Sequence, residues 1–129
     1  MSVGKVIYYL LSNNASIAST TSSNITPAVA AQETALPYIT YQQVSRIPTR
    51  TKDRVNAIET YRIQIDIYAE TLYAASTLAA LVKGVLNFTT GTIQTVNVDS
   101  IVYEDENDFF EDAPEIFRIQ QDYMIRIKY

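Results

Sequence analysis

The sequence predicts an α+β fold, with a mixed or antiparallel sheet of about four main strands and two helices packed on one face. Three observations lead to this prediction. Apolar and polar residues alternate over Ile58–Tyr68 and over Phe117–Tyr129, which is typical of strands with one buried face. Apolar residues recur at helical spacing near the N-terminus and again after residue 70. The predicted order is helix, strand, strand, helix, strand, strand.

The first predicted element is a short helix at the N-terminus, which Ser2 can cap. After it, Ala15–Asn24 is rich in Ser, Thr, Asn and Ala and carries no charge. Such a segment favours a flexible connection, and we expect any short strand in this part of the chain near Ile25. The apolar face of the helix comprises Val3, Val6, Ile7, Leu10 and Leu11.

A long antiparallel hairpin is predicted next. Pro37 has a fixed φ and disfavours the helical conformation at Leu36, so a strand is expected to begin there. Tyr38–Ser45 is rich in residues that favour strands, and Ile58–Tyr68 has the alternation of a second strand. The polar segment Arg46–Asn56 is predicted to be the loop between them.

The apolar period changes from two to about 3.6 within Arg62–Leu86, which indicates a strand that runs into a helix. On the strand, Ile65 and its alternate neighbours face one side and Gln64 faces the other. Thr71 or Glu70 can cap the first turn of the helix. One helical stripe comprises Leu72, Ala75, Leu78, Ala79, Val82, Val85 and Leu86.

Two further strands complete the predicted sheet. Gly91 ends the helical pattern, Thr92–Tyr103 is extended, and a last strand follows Pro114 and covers Phe117–Tyr129. Between these strands, Glu104–Glu115 holds half of the acidic residues in the chain and is predicted to be a loop. The apolar face of the first of the two strands comprises Val96, Val98 and Val102.

The residue types exclude most familiar classes of enzyme. The 129-residue chain has neither cysteine nor histidine, so thiolate chemistry, disulfides, the usual neutral-pH base and the commonest metal ligand are absent. Its net charge of -4 argues against a dedicated nucleic-acid binder. The apolar run Val6–Leu11 is too short to span a bilayer. We therefore expect one domain over residues 1–129, in a cytosol-like compartment and without a membrane partner.

The acidic segment fits two kinds of chemical site poorly. A calcium loop of the EF-hand type needs alternate oxygen ligands and a glycine, but Phe109 occupies the third ligand position after Asp105 and Asn107. A catalytic pair such as Asp105 and Asp108 would need a cleft that raises one pKa. We therefore predict no metal, no cofactor and no catalytic residue, and a carboxylate-only hydrolase is the alternative for an enzyme.

The basic segment Arg46–Arg54 admits a phosphate-binding interpretation, because spaced cations can neutralise a nucleic-acid backbone. Neither a glycine-rich cradle nor interleaved aromatic residues accompany these cations. Contact with a protein partner is favoured. A small nucleic-acid-associated module that uses this segment is the alternative function.

Three segments carry a pattern that resembles a known family. In Asn24–Gln42, the residues LPYITY lead into a strand, and in Arg62–Leu86 a Tyr-Ala pair stands where the strand changes to a helix. In Val98–Tyr129, an acidic and aromatic stretch precedes the last strand. Over nearly its whole length the chain resembles the tail completion proteins of long-tailed bacteriophages, also called tail-to-head joining or tail terminator proteins. It departs from the family pattern at Ser16–Ser23.

The resemblance implies a structural virion protein without an active site. Such proteins form a ring, usually a hexamer, on the head-proximal end of the tail tube and are assembled in the host cytoplasm. The resemblance further implies contacts with the tail tube protein and with the head connector or stopper protein. DNA would pass through the lumen of the ring without specific binding.

Opposite charges are concentrated in the two predicted loops. Exposed ion pairs contribute only about 0 to 1 kcal/mol each, so this segregation favours a role between subunits. We predict that at least one of these two loops contacts a neighbouring chain. Alternatively, the acidic loop faces the lumen of the ring and repels DNA. The basic set comprises Arg46, Arg50, Lys52 and Arg54, and the acidic set comprises Glu104, Asp105, Glu106, Asp108, Glu111 and Asp112.

Overall fold

The computed structural model describes residues 2–21, 24–27, 36–50, 55–112 and 115–128. These residues form three helices and one mixed sheet of six strands in the order β1-β2-β3-β6-β5-β4. Only β1 and β2 are parallel neighbours. The elements are α1 (Ser2–Ser12), α2 (Ala15–Thr21), β1 (Ile25–Pro27), β2 (Tyr38–Arg50), β3 (Val55–Ala69), α3 (Leu72–Leu86), β4 (Gly91–Ile93), β5 (Val96–Asp112) and β6 (Glu115–Lys128).

Two long hairpins supply the four central strands. β2 pairs with β3 and β5 pairs with β6, both antiparallel, and β6 pairs with β3 to join the hairpins. β2 ends and β3 begins at one end of the sheet, called here the Arg50 end. β5 ends and β6 begins at the opposite end, called here the Asp112 end. The hairpins therefore close at opposite ends of the sheet.

The helices pack against one another and against one face of the sheet. The core lies between these layers, and the central strands contribute alternate residues to it. Ile65 is 0% exposed and lies on this face, as predicted, whereas Gln64 lies on the other face. The Thr71 side chain caps α3, accepting a hydrogen bond from the backbone N of Ala74 at 3.1 Å. Tyr129, the last residue of the predicted final strand, lies outside the described residues.

The α+β class and the placement of the helices on one face are confirmed, but the numbers of strands and helices are larger than predicted. The prediction of a flexible connection over Ala15–Asn24 was wrong, because Ala15–Thr21 is helical. Asn14 caps this helix, accepting a hydrogen bond from the backbone N of Ile17 at 3.1 Å. Ile17 and Thr21 are buried, and the Thr21 hydroxyl donates to the Ile17 carbonyl at 2.9 Å.

Both predicted loops are largely strand. β2 continues to Arg50, and β5 continues through the acidic residues to Asp112, which lies opposite Glu115. Main-chain pairing with β3 and with β6 continues through these polar residues. The sequence did not reveal this, since a paired strand with two exposed faces has no apolar alternation.

Two predicted core residues are exposed instead. Leu72 is the first residue of α3, and its side chain is about half exposed. Val102 is 36% exposed, because the register of β5 against β6 shifts between Val98 and Ser100. This irregularity reverses the alternation, so that Ile101 faces the core in place of Val102.

Candidate interaction surfaces

The predicted basic set lies only partly within the described residues. Arg46 and Arg50 are on β2, and Arg50 is its last residue. Lys52 and Arg54 lie outside the described residues. The phosphate-binding alternative, which depends on this whole segment, therefore stays a prediction.

Arg46 forms an ion pair within its own subunit. Its guanidinium donates to both carboxylate oxygens of Glu59, with Nε–Oε2 at 2.8 Å and Nη2–Oε1 at 2.7 Å. Glu59 is only 2% exposed, and it also accepts a hydrogen bond from the Tyr61 hydroxyl at 2.8 Å. A buried carboxylate requires such partners, so Arg46 contributes to the stability of the subunit. Sequence reasoning missed this role, because Arg46 and Glu59 are brought together only by the pairing of β2 with β3.

The acidic set lies on the second half of β5 rather than in a loop. Asp105 lies opposite Asp122 of β6, and Asp108 lies opposite Ile119, so their side chains are on opposite faces of the sheet. This geometry excludes an acid and base pair formed by Asp105 and Asp108. Four members have exposed side chains, namely Glu104, Asp105, Glu106 and Asp108, and two lie at the end of the strand, namely Glu111 and Asp112.

The described members of the basic set are on β2 and the acidic set is on β5, toward opposite edges of the sheet. β3 and β6 separate β2 from β5, which corresponds to three strand spacings or about 14 Å. Arg50 lies opposite Val55 at one end of the sheet, and Asp112 lies opposite Glu115 at the other end. The structure therefore does not bring the described members of the two sets together within one subunit.

A pocket of about 190 Å³ lies between α3 and the second half of β5. On the strand side, the Gln121 amide donates to Glu106 Oε1 at 2.9 Å and to the Ala79 carbonyl at 3.1 Å. The Lys83 ammonium lies 4.4 Å from the centre of the Tyr103 ring. Burial, followed by the nearby Glu106 carboxylate, raises the pKa of the Tyr103 phenol. These four side chains are paired with one another, and none of them is a nucleophile beside a base that could activate it. We therefore interpret the pocket as a place where side chains pack and not as a catalytic site.

Three exposed aromatic residues are found toward the Asp112 end of the sheet. Tyr73, at the start of α3, is 83% exposed, and Phe109 and Phe110 on β5 are about half exposed. The Phe110 ring packs on Phe117 with centroids 4.6 Å apart, and the Arg118 guanidinium lies 4.3 Å from the Phe109 ring centre. Phe109 lies opposite Arg118 and Phe110 lies opposite Phe117, so the two rings are on opposite faces of the sheet. Exposed aromatic residues are enriched in protein contacts. The sequence marked this stretch as acidic and aromatic, but it gave no sign that Phe110 packs on Phe117.

The sheet face away from the helices carries a polar cluster. The Gln64 amide donates to Asp66 Oδ2 at 2.8 Å, and Arg118 Nε lies 3.9 Å from Asp66 Oδ1. Burial raises the pKa of Asp66, while the hydrogen bond from Gln64 and the charge of Arg118 oppose this shift. Within the described ranges, no group of three or more carboxylate side chains has an arrangement that could hold a metal ion.

Residues 5–128 match the family model described as Tail completion protein gp17. The chain belongs to this family. The resemblance inferred from the sequence is thereby confirmed, and the protein is a structural component of a phage-type tail.

The fold of this tail completion protein also occurs in a solved virion. A chain in the structure titled "Virion of native gene transfer agent (GTA) particle" superposes with a TM-score of 0.82 at 14% sequence identity. The match covers 96% of the present chain and 92% of the other chain. At this identity the match shows the fold alone. No curated protein sequence matches the chain.

None of the helices in the described part of the chain is long and apolar enough to cross a membrane.

Proposed function

We propose that this protein forms a closed ring on the head-proximal end of a phage-type tail tube, where it ends tube growth and joins the tail to the head connector. The observation that carries the proposal is membership of the tail completion family over residues 5–128. The tube protein, the connector or stopper protein and further copies of the chain are its proposed partners. DNA passes through the lumen of the ring without a specific site.

The distribution of charge supports a ring of identical subunits. In a ring, one surface of each copy contacts a different surface of the next copy. The β2 side of this subunit carries part of the basic set and the β5 side carries the acidic set, with two strands between them. Complementary charges on opposite sides would fix the orientation of neighbours and speed their encounter.

The exposed aromatic residues support a second kind of contact. Tyr73 and Phe110 lie at one end of the strands, whereas subunits around a ring would meet at the sides of the sheet. The Asp112 end therefore suits a protein above or below the ring. The tube protein and the connector are the two partners with that position in the proposed assembly.

A deletion of the gene tests the position and role of the protein. Tails made without it should be irregular in length or should fail to join heads, as seen by electron microscopy of negatively stained lysates. Restoring the gene on a plasmid should return both properties. Uniform tails joined to heads in the deletion strain would contradict the proposal.

Charge reversal tests the contact between copies. Arg50→Glu with Arg54→Glu should impair assembly, and adding Asp105→Lys with Asp108→Lys in the same chain should partly restore it. Because the contact is electrostatic, the assembly of the parent protein should weaken as salt rises. If the acidic reversal gives no rescue and salt has no effect, the acidic set does not pair with the basic set and the lumen alternative is favoured.

A further inference from the structure

A strained turn after α3 holds an exposed aromatic side chain. Phe88 follows the end of α3 by two residues, has a φ of 65° and is 78% exposed. A left-handed φ is unfavourable for a bulky residue, and glycine or asparagine adopts it more readily. Because Phe88 is so exposed, its side chain gains little from packing within its own subunit. A bulky side chain in such a conformation suits a contact outside the subunit.

Two hydrogen bonds fix this turn beside β5. The backbone N of Phe88 donates to the Ile101 carbonyl at 2.7 Å, and the backbone N of Tyr103 donates to Asn87 Oδ1 at 3.0 Å. The turn leads from α3 to β4, which is the last strand at this edge of the sheet. The phenyl group of Phe88 is therefore presented from a fixed position, and aromatic side chains of this kind are enriched in protein contacts.

The opposite side of the sheet carries an exposed apolar residue at a bulge of β2. The register of β2 against β3 shifts between Gln43 and Ser45, and Val44 is the residue between them. The bulge takes Val44 out of the regular alternation, and Val44 is 51% exposed. β1 pairs with β2 only over Ile39–Tyr41, so no described strand pairs with this side of β2 at Val44.

The strand register places Phe88 and Val44 at the same level. Two rows of paired residues cross the four central strands beside the turn that holds Phe88. One row comprises Ile101, Ile125, Tyr61 and Arg46, and the other comprises Tyr103, Tyr123, Ile63 and Gln43. Phe88 is bonded to the β5 member of the first row, and Val44 lies between the β2 members of the two rows. The two exposed residues therefore lie at one level on opposite sides of the sheet.

We infer that Phe88 of one copy packs on Val44 of the next copy of the chain. This inference rests on the proposed ring and names a contact between its subunits. In a ring, all copies have the same orientation relative to the axis, and one surface of each copy contacts a different surface of the next. Two surfaces at the same level on opposite sides of the sheet are therefore brought together. The contact removes both apolar side chains from water.

The position of Phe88 favours a second copy over another virion protein. Phe88 lies beside Ile101, about ten residues along β5 from Asp112. The tube protein or the connector is proposed to bind at the Asp112 end. A residue on the side of the sheet, away from that end, fits the neighbouring copy around the ring.

Cysteine cross-linking tests this pairing, because the chain has no cysteine of its own. With Val44→Cys and Phe88→Cys in the same chain, a short bifunctional maleimide should link successive copies in assembled tails and give a ladder of covalent oligomers on a denaturing gel. Each single variant should give no ladder and no dimer, since every junction then holds only one thiol.

Three outcomes of this experiment are distinguishable. The absence of a ladder from the double variant, in tails that retain the ring, would overturn the inference and leave the ring itself standing. A covalent dimer from Phe88→Cys alone would also overturn it, because Phe88 would then lie beside its own counterpart. The absence of any ring in the parent protein would contradict the proposed function.

A pair of matched substitutions separates the contact from the fold. Phe88 and Gln94 are both exposed residues with a positive φ, at 65° and 49°. Asparagine tolerates this conformation, so neither Phe88→Asn nor Gln94→Asn should lower the melting temperature of the monomer. Phe88→Asn should weaken assembly on the order of tenfold or more per contact, whereas Gln94→Asn should assemble as the parent does.

Co-sedimentation with tails from the deletion strain, over a series of protein concentrations, measures assembly of the two variants. Equal assembly of Phe88→Asn and Gln94→Asn would contradict the inference. A lower melting temperature of Phe88→Asn would also count against it, because the phenyl group would then support its own subunit.

Discussion

Ile65→Ala is expected to lower the free energy of unfolding by about 3 kcal/mol. Ile65 is 0% exposed on the central strand β3, and it lies between Tyr41 of β2 and Gln121 of β6. Removal of its outer side-chain carbons costs about 0.8 kcal/mol for each in transfer free energy, which gives about 2.4 kcal/mol. The cavity left beneath α3 adds to this value, and the usual range for such substitutions is about 2 to 5 kcal/mol.

Val102→Ala is the matched control, because Val102 is also a β-branched strand residue but lies 36% exposed on the opposite face. It should cost no more than about 1 kcal/mol. Urea unfolding of the monomer, followed by circular dichroism, measures both values, and the melting temperature of Ile65→Ala should fall by roughly 12 °C. Equal losses at the two positions would refute the assignment of Ile65 to the buried face of β3 and of Val102 to the exposed face of β5.

Two further predictions concern buried carboxylates. Because burial raises the pKa of Asp66, its stabilising contribution is complete below the ordinary value of about 3.9 and is lost as pH rises through the raised value. The Asp66→Asn variant cannot ionise at this position, so its stability relative to the parent protein should increase as the pH rises above about 4. Parallel pH profiles of the two proteins in urea unfolding would exclude this effect. Arg46→Ala should lower the free energy of unfolding by about 1 to 2 kcal/mol, because Glu59 loses both hydrogen bonds from the Arg46 guanidinium. The cost stays in this range because the Arg46 side chain is half exposed. An unchanged unfolding midpoint for Arg46→Ala would show that the pair contributes nothing to the subunit.

The elements that the sequence predicted well are those that bury one regular face. The alternation along β3 and β6 repeats over several residue pairs, and the apolar stripe on α3 repeats over several helical turns. Their periods can therefore be recognised from the sequence. α2 was missed because its contact with the core depends on Ile17 and Thr21 alone. The inversion at Val102 was missed because a local shift of register has no signature in the pattern of residue types.

The surfaces were predicted less completely than the fold. The sequence identified the acidic set and the family, but it assigned Glu104–Glu115 to a loop, since charged residues with two exposed faces give no strand period. Pairing with β6 instead makes residues 104–112 part of β5. The partner of Arg46 was also hidden, because the contact depends on the alignment of β2 with β3 and not on spacing along the chain.

The most direct test of the proposed position is electron cryomicroscopy of assembled particles in which the chain is identified from its side-chain density. The proposed function predicts a closed ring of this protein between the last layer of tail tube subunits and the head connector. A location at the distal tip of the tail, or copies repeated along the tube, would contradict it.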